Sequence, residues 1–165
     1  IEENIWVGNN TKIDKLSTIK APCIIGENTE IRPGSYLRGN VIIGDNCVIG
    51  NSVEVKNSII FDNSQIPHFN YVGDSILGYH SHLGAGVILS NLKNDESNIV
   101  IRGIDTNMIK LGSIIGNNVN IGSNSVLYPG TIIGCNTSIY PLTRVRGIIP
   151  SNSIMKDENN IIEKG

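Results

Sequence analysis

An aliphatic residue returns at every sixth position through much of this chain, and no other feature restricts the possible folds as strongly. One run begins at Val7 and extends without a skipped interval to the apolar Phe61, and a second extends from Ile115 to Val145. The fifth position of most intervals carries a small residue, and Gly-Asp/Glu/Asn-Asn tripeptides occur between the aliphatic positions. This repeat is the sequence signature of a parallel β-helix.

Length and composition agree with a single all-β solenoid. The chain has 165 residues, the length of one domain. Isoleucine is much more frequent than leucine, which favours strands over helices, and the many glycines and asparagines suit tight corners. Three intervals would form one triangular coil, and coils would stack by parallel β hydrogen bonds at ~4.8 Å. Counting the intervals predicts roughly six coils.

The repeat is interrupted twice. After Phe61 the next interval falls on Pro67, and the spacing then slips by four residues and resumes at Tyr71. Residues 90–110 lack the repeat, so we expect a loop extruded from the helix, with a short strand at 99–101. Residues 151–165 have also lost it and form either a tail across the last coil or a weak terminal strand. The predicted organisation is a β-helix over 1–150 with a loop insertion at 90–110 and a C-terminal tail at 151–165.

Charge and cysteine usage exclude several classes of function. Charged residues make up 17% of the chain and the net charge is −2, so no nucleic-acid-binding face is predicted. Cys23 and Cys47 occupy small inward positions without CxxC spacing, which predicts buried free thiols. No segment is apolar enough to cross a membrane and none resembles a signal peptide, so we expect a cytoplasmic protein with no membrane partner.

The segment between Ile31 and Leu92 carries a more specific pattern. It contains, in order, Arg32-Pro33-Gly34, Lys56, His68-x-x-Tyr71-x-Gly73-Asp74, Gly84-Ala85-Gly86 and Ser90-Asn91. In order and spacing these motifs resemble the acetyltransferase domain of the bifunctional N-acetylglucosamine-1-phosphate uridyltransferase/glucosamine-1-phosphate acetyltransferase. The resemblance implies a left-handed β-helix and a homotrimer with active sites in the clefts between neighbouring subunits. Because no nucleotidyltransferase motif precedes Ile25, we expect a stand-alone relative without uridyltransferase activity.

The resemblance also implies a reaction and its residues. His68 would be the general base, since imidazole titrates near the working pH and can take a proton from the ammonium of an amino sugar. The freed amine would attack the acetyl carbonyl of acetyl-CoA, the co-substrate, and no metal is expected for the chemistry. The implied substrate-binding residues are Arg32, Lys56, Tyr71 and His82, with the two cations on the sugar phosphate. The implied coenzyme A contacts are Ala85, Asn91 and Ser123.

Two further positions are candidates for roles in that family, and two others depart from its motif. Asp74 is a candidate for orienting His68, and Lys93 for the family's substrate-binding lysine. Pro67 stands before His68 where the family has glycine, and His82 stands where the family has asparagine.

Two other functions stay open at the level of sequence. The γ-carbonic anhydrases share the repeat and bind Zn²⁺ through three histidines, and this chain has three: His68, His80 and His82. The spacing of His80 and His82, two positions apart, differs from that family's. The second alternative is a non-catalytic solenoid that binds a nucleotide-sugar or serves as a scaffold, which Pro67 and the changed loop favour. The predicted function is N-acetylation of an amino sugar phosphate resembling glucosamine 1-phosphate.

Overall fold

The strands of this protein form the three sides of a left-handed parallel β-helix. The structure is a computed structural model that describes residues 3–165. We name the three sheets A, B and C in the order in which the chain visits them, their outer surfaces faces A, B and C, and the edges between them corners AB, BC and CA. Strands of neighbouring coils pair in parallel within each sheet. The fold class predicted from the repeat is confirmed.

The strands are short because a corner follows every few residues. Sheet A consists of Ile5–Val7, Cys23–Ile25, Val41–Ile43, Ser58–Ile60, Ile76–Leu77, Ile114–Ile115, Ile132–Ile133 and Ile148–Ile149. Sheet B consists of Lys12–Ile13, Glu30–Ile31, Val48–Asn51, Gln65–His68, His82–Leu83, Asn120–Ile121, Ser138–Ile139, Ser153–Asp157 and Asn160–Glu163. Sheet C consists of Thr18–Ile19, Tyr36–Leu37, Glu54–Lys56, Tyr71–Gly73, Ile88–Leu89, Val126–Leu127 and Arg144–Val145.

One aliphatic side chain per strand points inward, and these side chains form a continuous core. Ile25, Ile31 and Leu37, one from each side of a single coil, are at most 1% exposed. The small residues of the repeat satisfy the backbone at the corners: the Ser35 hydroxyl donates to the carbonyl of Gly50 in the next coil at 2.7 Å. The six-residue spacing therefore encodes both the core and its hydrogen bonding.

The helix has more coils than the roughly six predicted. Within the described part of the chain, sheet A contains eight strands. The parallel ladder also continues beyond residue 150, because Ser153–Asp157 pairs with Ser138–Ile139 and places Met155 inward at 2% exposure. The last strand, Asn160–Glu163, then turns back antiparallel to it. Among the described residues no helix is present that could span a membrane.

The predicted phase of the repeat between Val55 and Leu77 is wrong. Ile60 and Val72 point inward at no more than 1% exposure, whereas Phe61 is 50% exposed. The chain does not slip by four residues; instead the intervals from Val55 to Ile60 and from Val72 to Leu77 are each one residue short. Both short intervals fall at corner CA, and the sheets stay in register around them. A tighter corner therefore replaces the break expected near His68.

The three faces differ in the side chains that they present to solvent. On face A every outward position is apolar, and we call this row the face A ladder: Trp6, Ile24, Ile42, Ile59, Ile76, Ile114, Ile132 and Ile148. Faces B and C carry polar and charged residues at many of the equivalent positions, such as Glu30 on face B and Glu54 on face C.

Between Leu89 and Ile114 the chain leaves the helix at corner CA. A bridge between Leu92 and Lys110 closes the base of this insertion, and Val100–Ile101 pairs with Ile104–Asp105 in a hairpin. Ile99 is fully buried and packs against Gly130, where an added Cβ would lie only 2.6 Å from the Ile99 side chain. The insertion is therefore docked on the following coil.

Candidate active site on face C

His68 lies at corner BC, at the end of the strand Gln65–His68, with its side chain exposed. Its backbone is fixed on both sides: the His68 N–H donates to Asn70 Oδ1 at 3.1 Å, and its carbonyl accepts from the Gly86 N–H at 3.0 Å. Asn70 is 3% exposed and donates to the Gly84 carbonyl at 2.8 Å. Within residues 3–165 the imidazole itself makes no hydrogen bond, so its ring nitrogens are open to a ligand.

Phe69, beside His68, is a residue that sequence reasoning missed. It has a φ of 52° and is 61% exposed, and its ring centroid lies 6.4 Å from that of His68. Other corners place asparagine in this left-handed conformation, as at Asn28 and Asn46. A bulky residue there is strained, and such strain clusters at functional sites. The available signal was a phenylalanine at a corner position that asparagine or glycine usually occupies.

Ala85 and Ser123 lie in the same corner column as His68. The Gly86 N–H bonds to the His68 carbonyl, and the Asn124 N–H bonds to the Ala85 carbonyl at 2.9 Å, so the three residues follow one another in successive coils. The Gly84 N–H donates to the carbonyl of Ile121, and the Gly86 N–H donates to the carbonyl of His68. Within residues 3–165 this leaves the Ala85 N–H as the unpaired donor of the Gly84-Ala85-Gly86 turn.

Arg32 also lies at corner BC, but two coils before His68. It precedes Pro33, whose carbonyl accepts from Asn51 Nδ2 at 2.8 Å, and Asn51 pairs in turn with His68. The Arg32 guanidinium forms an ion pair with Glu30 at 3.1 Å. The structure therefore separates Arg32 from Lys56, with which the sequence had grouped it.

Lys56 belongs to a polar cluster at corner CA that centres on Asp74. The Lys56 Nζ lies 3.2 Å from Asp74 Oδ2, and these side chains are only 19% and 8% exposed. Asn57 Nδ2 donates to Asp74 Oδ1 at 2.6 Å, and Asn91 Nδ2 donates to Asp74 Oδ2. The Gly112 N–H donates to the Asp74 carbonyl at 2.8 Å. Asp74 thus connects Lys56 to both ends of the insertion, and it faces Lys56 and not His68 as the sequence suggested.

The cluster changes the acidity of its members. Burial alone would raise the pKa of Asp74, but the hydrogen bonds from Asn57, Asn91 and Lys56, with the Lys56 charge, lower that pKa below its usual value. Burial raises the pKa of the Tyr71 hydroxyl, and the nearby Asp74 carboxylate raises it further against the opposing Lys56 charge. Asp74 is therefore held as a carboxylate and Tyr71 as a neutral phenol at neutral pH.

Arg38 is a second residue that sequence reasoning missed. It lies 18 residues before Lys56, and its N–H bonds to the Val55 carbonyl at 2.8 Å, so it stands one coil before Lys56 at corner CA. Its guanidinium pairs with Glu54 at 2.7 Å and lies 5.9 Å from the centre of the Tyr36 ring. The structure groups Arg38, and not Arg32, with Lys56. The signal was the spacing itself, because three intervals of the repeat return the chain to the same corner.

The remaining candidates lie in other surroundings. Lys93 donates to Ser97 Oγ at 3.1 Å inside the insertion. His82 points outward on face B, with its Nδ1 3.2 Å from Asn120 Oδ1, and His80 lies at corner AB. The three histidines thus occupy different parts of the coil, and residues 3–165 contain no group of three metal-binding side chains close enough to share an ion.

Face C therefore has His68, Ala85 and Ser123 along one edge and Lys56, Asn91 and Arg38 along the other. Tyr71 lies between them and pairs with Glu54 and Ile88. The backbones of the two corners are on the order of 15 Å apart, as the length of one side requires.

These features define the class of protein: a hexapeptide-repeat left-handed β-helix with an exposed histidine at one corner. Residues 19–123 match the family described as the GMPPB C-terminal domain. This match covers more than half of the chain, and the chain belongs to that family.

Curated relatives are similar over most of the chain. A protein of Sulfurisphaera tokodaii named "Bifunctional sugar-1-phosphate nucleotidylyltransferase/acetyltransferase" is 38% identical over 151 residues, covering 86% of this chain and 38% of that protein. The "Bifunctional protein GlmU" of Methanococcus aeolicus is 32% identical over 185 aligned positions, covering 99% of this chain and 45% of that protein. The chain thus spans less than half the length of these relatives.

Solved structures share the fold. AntD, an N-acyltransferase from Bacillus cereus in complex with dTDP and 3-hydroxybutyryl-CoA, superposes with a TM-score of 0.57 at 20% identity over 94% of this chain and 79% of AntD. PerB from Caulobacter crescentus, in complex with CoA and GDP-perosamine, gives 0.55 at 17% identity over 94% of this chain and 57% of PerB. Identities this low establish the common architecture alone.

Proposed function

We propose that this protein is an acetyl-CoA-dependent N-acyltransferase that acetylates an amino sugar phosphate, with His68 as the general base. The observation that carries the proposal is the exposed, unbonded imidazole of His68 in one column with Ala85 and Ser123. The names of the relatives support it, since one includes an acetyltransferase and two structural neighbours were solved with coenzyme A or an acyl-CoA.

The reaction follows from this arrangement. The amino nitrogen attacks the carbonyl carbon of the acetyl thioester, and His68 takes the proton that the nitrogen gives up as the bond forms; the additional proton of an ammonium form passes to solvent. The carbonyl oxygen gains the negative charge, and the Ala85 N–H, which is unpaired within residues 3–165, would donate to it. When the intermediate collapses, the carbon–sulfur bond breaks, and the imidazolium returns the proton to the leaving thiolate. The products are the amide and free coenzyme A.

Corner CA would hold the phosphate of the acceptor. Lys56 and Arg38 supply two cations there, each already oriented by a carboxylate. A sugar lying across face C over Tyr71 would present its amine to His68. The neutral Tyr71 hydroxyl could donate a hydrogen bond to this sugar. We infer further that three copies assemble as a homotrimer, so that a neighbouring subunit closes the cleft over face C.

Thiol release from acetyl-CoA, measured with a panel of amino sugar phosphates that begins with glucosamine 1-phosphate, tests the proposal. His68→Ala should lose about 10²–10⁴-fold in turnover, the contribution of a general base, and should retain coenzyme A binding by calorimetry. His80→Ala, which removes a histidine at corner AB, is the matched control and should keep full turnover. Unchanged turnover in His68→Ala would refute the assignment.

A non-catalytic domain is the second candidate, and one observation favours it. Lys56 and Arg38, the two cations proposed to hold the phosphate, are both neutralised by carboxylates of the same chain. A domain that serves as a scaffold needs no cationic side chain that is free to bind a phosphate. Absence of thiol release with every acceptor, together with no coenzyme A binding, would support this function.

A further inference from the structure

The basic edge of face C continues one coil beyond the two cations assigned to the phosphate. The Lys20 N–H donates to the Leu37 carbonyl at 2.8 Å, and the Arg38 N–H donates to the Val55 carbonyl at the same distance. Successive coils therefore place Lys20, Arg38 and Lys56 in one column at corner CA, and stacking separates neighbours in the column by ~4.8 Å. We call this row of three cations the basic column.

Lys20 differs from the other two members of the basic column in its charge balance. Arg38 pairs with Glu54, and Lys56 pairs with Asp74. Within residues 3–165 Lys20 forms no ion pair, and its side chain is exposed. An anion that reaches Lys20 therefore meets a positive charge without first displacing a carboxylate. A single phosphate held by Lys56 and Arg38 would leave this charge unused.

Tyr36 holds Lys20 and Arg38 beside each other. The Lys20 Nζ lies 5.5 Å from the centre of the half-buried Tyr36 ring, and the Arg38 Cζ lies 5.9 Å from it. Both cations are thus within the range of attraction to an aromatic ring. Because two flexible side chains are already oriented against one ring, a ligand that binds both of them has less side-chain entropy to remove.

We propose that Lys20 and Arg38 bind a second phosphate, so that the acceptor is an amino sugar linked through a diphosphate. This inference rests on the proposed function and narrows its acceptors to that class. Lys56 and Arg38 hold the phosphate attached to the sugar, and Arg38 and Lys20 hold the phosphate that follows it. One coil step of ~4.8 Å separates the two positions, a distance that the long side chains of the basic column can adjust to two linked phosphates.

The two substrates then extend in opposite directions along face C. The sugar lies over Tyr71, which is one coil after Lys56, and the basic column runs from there towards earlier coils. Ala85, assigned to coenzyme A, lies one coil later than His68. A diphosphate on the basic column therefore leaves the later coils to coenzyme A, and the group beyond the second phosphate lies near the first coil.

Calorimetry with glucosamine 1-phosphate and UDP-glucosamine, two ligands with the same sugar, tests the second phosphate site. UDP-glucosamine should bind at least tenfold more tightly to the native chain. Lys20→Gln should remove about tenfold of that affinity, the loss expected for one hydrogen bond to a charged group, and should leave glucosamine 1-phosphate unchanged. Lys20→Arg should restore it. Lys12→Gln is the matched control, because Lys12 is exposed in the same coil but lies on face B, and it should behave as the native chain.

Two further ligands separate the sources of a diphosphate. Coenzyme A also contains one, and its affinity should be the same in Lys20→Gln and the native chain; a tenfold loss would show that the basic column binds coenzyme A and would overturn the assignment to the acceptor. A farnesyl diphosphate conjugate of glucosamine tests whether the group beyond the second phosphate is a nucleoside or a lipid. Sensitivity of either conjugate to Lys20→Gln would support the second phosphate site.

Thiol release from acetyl-CoA separates this inference from the proposed function. The kcat/KM for UDP-glucosamine should fall about tenfold in Lys20→Gln, while that for glucosamine 1-phosphate stays the same. Equal use of both acceptors, or equal effects of Lys20→Gln and Lys12→Gln, would overturn the second phosphate site and leave the proposed function standing. Lys20-dependent binding of UDP-glucosamine without thiol release would support the site and overturn the proposed function.

Discussion

Asp74→Asn is the substitution that most directly tests the cluster at corner CA. It keeps the size of the side chain and one acceptor oxygen but removes the negative charge that meets Lys56, Asn57 and Asn91. Asparagine cannot satisfy all three donors. Lys56 would be left without a counter-ion, and the outgoing end of the insertion would lose its anchor.

The structure sets the expected cost. Removing one partner of a fully buried ion pair costs about 3–5 kcal/mol, and Lys56, at 19% exposure, can recover part of this from water. Weakening the hydrogen bonds to a charged acceptor costs about 1 kcal/mol each. We therefore expect a loss of about 2–3 kcal/mol, which for a chain of this length lowers the Tm by roughly 5–10 °C.

The assay is thermal unfolding followed by circular dichroism between pH 3 and pH 8. Because the pKa of Asp74 is lower in the folded state than its unfolded value of about 3.9, its stabilisation is complete well above that value and is lost as pH falls through the folded pKa. The Tm difference between the native chain and Asp74→Asn should be constant at neutral pH and should shrink below about pH 4. Asp14→Asn is the control, because within residues 3–165 the Asp14 carboxylate accepts a hydrogen bond from the Leu16 N–H alone, and it should cost about 0.5 kcal/mol. Equal effects of the two substitutions, or a difference that persists unchanged to pH 3, would contradict this account.

Two further predictions concern thiols and strain. Burial raises the pKa of Cys23 and of Cys47 to about 11, so these thiols should resist a disulfide reagent at pH 8 while the half-buried Cys135 reacts. In denaturant all three thiols should react. Rapid reaction of more than one thiol in the native state would be inconsistent with burial of Cys23 and Cys47 in the core. Phe69→Asn should raise the free energy of unfolding by about 1 kcal/mol, because asparagine relieves the strained φ of 52°. On the proposed function the same substitution should lower turnover. A destabilised variant would show that the packing of Phe69 outweighs the strain.

The six-residue spacing predicts which of the candidate residues share one corner. His68 and Ala85 are 17 residues apart, close to three intervals of the repeat, and the structure places them in adjacent coils at corner BC. Arg32 lies 24 residues before Lys56, four intervals instead of three, and the structure accordingly places the two at different corners. Arg38 lies 18 residues before Lys56, three full intervals, and therefore one coil before it at the same corner.

The six-residue spacing by itself determined the all-β class, the inward side chains and the corner residues, because each of these depends on neighbours within a few positions. Only the tertiary structure decided that one residue is lost at corner CA in each of two coils, that Asp74 joins Lys56 to the insertion, and that face A is apolar along its whole length. Those features arise between residues one coil apart, far from each other along the chain, and only the stacking of the coils brings them into contact.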